Sequence, residues 1–292
     1  MNDITNTTDL LLEIENLNVT FPSAHGAVNA VRNLSFSMGH EKIAIVGESG
    51  SGKSQTGRAL LGLSPGNVSA DKMIFDGVDL QSLSPRAYRD IRGKRISMVM
   101  QDPKYSLNPV MTVGKQMLEA CQIQMKVSKK EALKRCIDML NAVRIRDPKR
   151  VFNAYPHEVS GGMGQRIMIA MMLLSGPDLL IADEPTSALD VTVQLQILAI
   201  MDDLVKDRGM GLILISHDLP LVASFCDRIL VMYSGRIVED IAANKLEQAQ
   251  HPYTQGLLSC LPRNAVKGQP LATLQREDSW LTNSLNSKGD LV

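Results

Sequence analysis

Lys42–Ser54 reads KIAIVGESGSGKS, and the reading of this stretch decides the fold. Lys42–Val46 is a short apolar run that stops at Gly47, as a strand buried on both faces of a parallel sheet does. Lys53–Leu63 then has helical spacing and ends at the breaker pair Pro65-Gly66. Between the two, Gly47-Glu48-Ser49-Gly50-Ser51-Gly52-Lys53-Ser54 fits the pattern G-x4-G-K-S, directly after a strand and opening a helix. Glycines let successive backbone N–H groups turn inward as an anion nest, and the helix N-terminus adds partial positive charge. In such a loop Lys53 reaches the β- and γ-phosphates of a nucleotide, and the Ser54 hydroxyl ligates Mg²⁺. A Gly/Ser-rich turn without function does not account for strand, loop and helix in that order.

Leu179-Leu-Ile-Ala-Asp183-Glu184 supplies the complement. Four apolar residues bury a strand, so both carboxylates emerge at its C-terminal end, the edge where open parallel sheets bind ligands. Asp183 is suited to the Mg²⁺ shell, and Glu184 is then free to orient and deprotonate an attacking water. Leu10–Val19 alternates like an edge strand, and Val31–Ser37 reads as a second strand. Ile96–Met100, Leu212–Ser216 and Ile229–Met232 are further short apolar strands. The segment from Val113 to about Val143 is helical in pattern, with Met117, Cys121, Ile137, Leu140 and Val143 on inner faces, and Gly161–Ser175 is a second long helix. Strands alternating with helices imply a parallel sheet covered on both faces. The methionines of the second helix, Met163, Met168, Met171 and Met172, read as core filling.

The 292 residues suffice for roughly two domains. At 44% hydrophobic and 21% charged, the composition excludes a disordered chain. Lys plus Arg equals Asp plus Glu at 31 each, so the basic excess of a nucleic-acid binder is missing. Asp3, Asp9 and Glu13 argue against a secretory signal, and the longest apolar run, Ile167–Leu174, falls well short of the roughly 20 residues of a membrane span. Cys121, Cys136, Cys226 and Cys260 show no metal-ligand spacing and are expected to be reduced thiols. Beyond Pro262 the chain is poor in apolar residues, and a loose tail, dispensable for turnover, is expected there.

Ser160-Gly161-Gly162-Met163-Gly164-Gln165 resembles the signature sequence of ATP-binding-cassette (ABC) proteins. Gln101 resembles that family's Q-loop glutamine, Ser187-Ala-Leu-Asp190 its D-loop and His217 its switch histidine, while Phe21 matches the aromatic that stacks on adenine. The resemblance covers roughly residues 10–260. Narrower still, Gln101-Asp-Pro-Lys-Tyr-Ser-Leu-Asn-Pro109, Tyr155-Pro-His-Glu158, Ala188–Gln194 and His251-Pro-Tyr-Thr-Gln-Gly-Leu-Leu258 look like the oligopeptide/dipeptide/nickel importer ATPases.

The resemblance implies an α/β fold: a P-loop NTPase core with a mixed central sheet, an N-terminal antiparallel β subdomain and an inserted α-helical subdomain at about 105–175. It places the ATPase domain at 1–262 and a tail at 263–292. It assigns Glu184 and His217 to catalysis, and Phe21, Gly47, Glu48, Ser49, Gly50, Ser51, Gly52, Lys53, Ser54 and Gln101 to ATP. Ser54, Gln101 and Asp183 would hold Mg²⁺. Ser160, Gly161, Gly162 and Met163 would bind the γ-phosphate of ATP on a partner's loop, with Asp190 in the D-loop, so a head-to-tail dimer is required.

Implied partners are a second ABC ATPase subunit, two membrane permeases and, through them, an extracytoplasmic solute-binding protein. The implied location is peripheral, on the cytoplasmic face of the inner or plasma membrane. In the family a permease helix lands beside the Q-loop, which makes about 105–158 the expected docking segment. Gly164 stands where this importer group usually has arginine. Many relatives follow the His-Pro-Tyr segment with a cysteine cluster for an iron–sulfur centre, and none follows Cys260, so no cluster is expected. The alternative from another class is a non-transport cassette protein acting on nucleic acid or ribosomes. Ser160 lies 107 residues after Lys53 (160 − 53), too few for the coiled coil of DNA-repair relatives, and the chain has one P-loop where ribosome-acting relatives have two.

Overall fold

A computed structural model describes residues 10–24, 26–100, 106–187, 189–261, 274 and 280. The chain divides into two compact units, Met1–Gln81 with Ile213–Val292, and Ser82–Leu212.

In the first unit, β1 (Leu12–Ser23) and β2 (Gly26–Met38) form a long antiparallel pair, Leu12 opposite Met38 and Ser23 opposite Gly26. The apolar alternation of β1 changes parity midway: Leu12 and Ile14 are buried, and so are Leu17 and Val19. A register shift between Ile14 and Leu17, with Asn16 at φ +52°, inserts the extra residue that keeps both pairs inward. The other edge of β1 carries β4 (Asn67–Ser69) and β5 (Lys72–Phe75), and β5 pairs with β6 (Val78–Asp79). This antiparallel sheet extends the two strands legible in the sequence by three very short ones.

The same unit holds β3 (Lys42–Val46), parallel to β10 (Arg228–Tyr233) with Ile43 opposite Arg228 and Val46 opposite Val231. β11 (Arg236–Ala242) returns antiparallel on β10, and β9 (Gly211–Ser216) neighbours β3. The sheet is therefore mixed. The β10–β11 turn is Ser234-Gly235, both at positive φ (45° and 88°), which matches the twist of a two-residue hairpin. Helices α1 (Lys53–Leu60), α8 (Leu219–Phe225) and α9 (Pro252–Ser259) complete the unit.

The expected loose tail does not hold at Leu274 and Trp280. Trp280 is 5% exposed, with its ring centroid 5.5 Å from those of both Tyr233 and Tyr253. A Cβ on Gly256 would overlap the Leu274 side chain. One tryptophan in a polar stretch has no periodicity to announce it, so composition averages it away.

In the second unit, β7 (Ile96–Val99) lies parallel to β8 (Leu179–Asp183), and every residue of both is buried. Around them stand α2 (Pro85–Ile91), α3 (Val113–Met125), α4 (Lys129–Ala142), α5 (Pro148–Asn153), α6 (Gly161–Leu173) and α7 (Val191–Arg208). The single helical stretch expected over 113–143 is two helices. Lys126 ends α3 in the left-handed region at φ 52°, and the Ser128 side chain caps α4 by accepting from Glu131 N. Met117, Cys121, Leu140 and Val143 are buried as expected, whereas Cys136 takes an interior position and Ile137 is half-buried. Of the α6 methionines, Met168 is buried and Met163, Met171 and Met172 are half-buried. Cys121, Cys136, Cys226 and Cys260 are free thiols; burial pushes those of Cys136 and Cys226 up to about 12. Among the described residues no helix is long and apolar enough to cross a membrane.

Candidate functional site

β3 ends at Val46, and Gly47–Gly52 turns the chain into α1, whose first two residues are Lys53 and Ser54. Two glycines are dictated by their surroundings. A Cβ on Gly47 (φ +151°) would overlap the carbonyl oxygen of Met232 on β10, and one on Gly52 (φ +102°) would overlap that of Ala30 on β2. The loop is thus held between two strands at distances only glycine permits. Gly235 N donates to Ser51 O at 3.0 Å, and Glu48 N donates to Tyr253 Oη at 3.0 Å.

Lys53 is buried, its Nζ donating to Gly47 O (2.8 Å) and Glu48 O (2.7 Å), so its charge sits over the loop. Ser51 Oγ is buried without a hydrogen-bond partner among the described residues. A buried hydroxyl normally finds a partner, and a phosphate oxygen would supply one. A cavity of about 150 Å³ beside the loop is lined by Glu48, Ser49, Gly50, Ser51, Tyr233 and Ser234. The loop therefore fits a nucleotide phosphate. Phe21 lies near the end of β1 opposite Val28, half-buried, its ring against Gly66. His217 follows β9 directly and is exposed, and Asp218 next to it caps α8 through Leu221 N at 3.0 Å.

The other named residues lie in the second unit. Asp183 ends β8 and is 5% exposed. Glu184 is half-buried at φ +47°, a left-handed conformation that a residue with a Cβ adopts at a cost of about 1–2 kcal/mol. Ser187 closes the turn by donating from N (3.3 Å) and Oγ (3.2 Å) to Glu184 O. Such strain in a non-glycine residue persists where surrounding structure imposes it, and it concentrates at functional positions. Asp183 offers hard carboxylate oxygens at the end of β8. Among the described residues no cluster of three His, Cys, Asp or Glu side chains could hold a metal alone. Mg²⁺ is an ion that takes few protein oxygens and keeps waters and substrate phosphates as its other ligands.

Ser160 caps α6, its Oγ accepting from Met163 N at 3.4 Å, and Gly161, Gly162 and Met163 form the first turn. A Cβ on Gly162 would lie 2.9 Å from Val193 Cγ1 on α7. Asp190 caps α7 by accepting from Val193 N at 3.0 Å. The fold thus brings the Ser160–Met163 turn against Leu189 and Val193, as their separation in sequence does not reveal. Gly164 is buried in the same turn, donating its N–H to Ser160 O at 2.8 Å, so the departure from arginine leaves the helix start intact. Gln101 and the stretch through Tyr105 lie outside the described residues, as does Ala188.

Sequence reasoning did not find the contact of Tyr253 with the loop. Its only signal was the His251-Pro-Tyr253 segment, legible as a trait of one importer group but not as a neighbour of Glu48.

A family model described as ABC transporter matches residues 31–187. The oligopeptide transport ATP-binding protein OppD of Escherichia coli K12 is 45% identical over 269 residues, 91% of this chain and 80% of that protein. The dipeptide transport ATP-binding protein DppD of Bacillus subtilis 168 is 47% identical over 270 residues, 90% of this chain and 80% of that protein. Among solved structures, the dimeric bacterial ABC transporter cassette MJ0796 superposes with a TM-score of 0.72 at 25% identity, covering 80% of this chain and 98% of that one. Matched over more than half its length by the family model and at 45% identity by a relative covered to 80%, the chain belongs to the ABC transporter family, as one of its ATPase subunits.

Proposed function

We propose that the chain energises import of peptides or a similar small solute, working peripherally on the cytoplasmic face of the inner or plasma membrane. The observation that carries this reading is the 45% identity over 269 residues to a protein named for oligopeptide transport. The partners are a second ABC ATPase subunit, two membrane permeases and a solute-binding protein reached through them. No nucleic acid is involved. The ATPase domain is 1–262, with its helical subdomain at about 105–175.

The phosphates of ATP lie on the amides of Gly47–Ser54, with Lys53 moving from the loop carbonyls to the β- and γ-oxygens. Phe21 stacks on adenine. Ser54, Asp183 and Gln101 hold Mg²⁺, which when bound neutralises charge on the β- and γ-phosphates. Glu184 takes a proton from the attacking water, and His217 steadies the γ-phosphate. Ser160–Met163 meets the γ-phosphate on the partner's loop, because a capped helix start presents bare N–H groups to an anion. Asp190 belongs to the same dimer contact. ATP binding closes the dimer and hydrolysis reopens it, a conformational step coupled to the permeases.

Glu184→Gln in this subunit of the assembled complex tests the assignment. It keeps shape and hydrogen bonding but cannot accept the proton, so single-turnover hydrolysis at this loop should fall about 10²- to 10⁴-fold while ATP binding survives. Hydrolysis within a few-fold of the native rate rules Glu184 out as base. ATP-dependent uptake of a labelled peptide into vesicles holding the complex tests the cargo, and uptake of no peptide overturns that part.

A further inference from the structure

The hydroxyl of Tyr253 accepts a hydrogen bond from the amide of Glu48, second residue of the phosphate loop, across 205 residues of chain. Tyr253 is fully buried, and its place is set from three sides. Its ring lies 4.6 Å from that of Tyr233 and 5.5 Å from that of Trp280, centroid to centroid. Its own N–H donates to His251 Nδ1 at 3.1 Å, which caps α9. His251 is in turn anchored, its N and that of Gln250 donating to Glu239 Oε1 at 3.3 and 2.7 Å. Trp280 touches this assembly through its ring, which lies 5.5 Å from those of both Tyr233 and Tyr253.

None of these groups is needed for nucleotide chemistry as described above. A buried aromatic cluster could serve packing alone, for which phenylalanine would do as well as tyrosine at position 253. The hydroxyl is what packing does not require, and it is spent on the loop amide.

We propose that Tyr253 is a positioning residue for nucleotide binding, holding the entry of the phosphate loop through Glu48 N, and that Trp280 acts on the loop by holding Tyr253. This rests on reading Gly47–Ser54 as the nucleotide loop. Without the hydroxyl, Glu48 N–H loses its partner and the loop spends less time in the binding conformation. Apparent affinity falls by that fraction, while chemistry on the bound nucleotide is unaltered. A segment far from the catalytic motifs thereby sets how readily the loop accepts ATP.

The test uses the assembled transporter with changes in this subunit alone, reading KM and kcat for ATP turnover and labelling of this chain by a photoactivatable azido-ATP. Tyr253→Phe, which keeps the ring, should raise KM about threefold to tenfold, the worth of one hydrogen bond, with kcat within twofold of native. Trp280→Ala should raise KM in the same direction, and Trp280→Phe should restore it. The double variant Tyr253→Phe with Trp280→Ala should be no worse than the poorer single one, because both act through one bond. A native KM in Tyr253→Phe overturns the proposal, as does a Trp280→Ala variant that loses kcat and melting temperature at unchanged KM. Lys53→Ala is the control: reduced labelling there with native KM in Tyr253→Phe removes the proposal alone, and native labelling of Lys53→Ala removes the loop reading and the proposal together.

Discussion

Gly162 has room for a hydrogen and nothing larger, because Val193 Cγ1 occupies the place of a Cβ at 2.9 Å. Valine is stiff at χ1 and cannot swing aside at little cost. Gly162→Ala should therefore destabilise the chain by about 1–3 kcal/mol, the cost of overpacking, and lower turnover by displacing the signature turn. Val193→Ala in the same chain should recover most of the melting temperature. A Gly162→Ala variant that melts like the native chain would show that α6 and α7 are not in register there. The glycine was legible in the sequence as part of an anion-binding helix start, but its packing reason was not, since Val193 belongs to another helix. Glu184 is similar. Its identity and place after β8 could be read directly, while its left-handed backbone comes from the turn that Ser187 closes.

The break between α3 and α4 shows how an element boundary escapes apolar periodicity. The chain runs Lys126-Val-Ser128 there, without glycine or proline, and the inward pattern resumes on the far side. The local signal was Ser128-Lys-Lys-Glu131, a serine with glutamate three residues on, which marks a helix start. The α3 end is imperfect, because Lys126 carries a Cβ at φ 52° where glycine is the favoured residue. Lys126 is exposed, so Lys126→Gly changes little besides the backbone. It should stabilise the chain by about 0.5–1 kcal/mol, seen as a higher urea midpoint at unchanged slope. A lower midpoint would mean that the gain in unfolded-chain freedom outweighs the relieved strain. The strands β4, β5 and β6, of 3, 4 and 2 residues, were illegible for a simpler reason. They are too short to show alternation, and pairing to β1 and to each other creates them.

At the scale of the molecule, His251 couples stability to pH. Burial holds its pKa below the ordinary 6.5, opposed by the charge of Glu239. The folded chain then binds fewer protons than the unfolded one below that value, so stability rises with pH. His251 should contribute fully above about pH 6.5, its unfolded value, and its contribution should shrink as pH falls toward the lower folded value. Melting temperature measured between pH 7.5 and 5.5 should drop on acidification, and His251→Asn, which keeps a capping side chain, should flatten the slope. An unchanged slope in the variant would put the pH dependence elsewhere.

The sequence by itself determined the kind of protein, because the P-loop, the paired acids and the signature each encode their chemistry within a few adjacent residues. Strand, loop and helix follow one another without a gap at Gly47–Ser54, so local spacing is enough to read an anion site. Only the tertiary structure decided what these segments lean on. The carbonyls of Ala30 and Met232 wall the loop, Tyr253 holds its Glu48 amide, Trp280 backs Tyr253, and Val193 meets Gly162. Each contact joins residues distant in the chain, through a backbone oxygen, a single hydroxyl or one ring. Such partners carry no periodicity and no spacing rule, and folding alone brings them within reach.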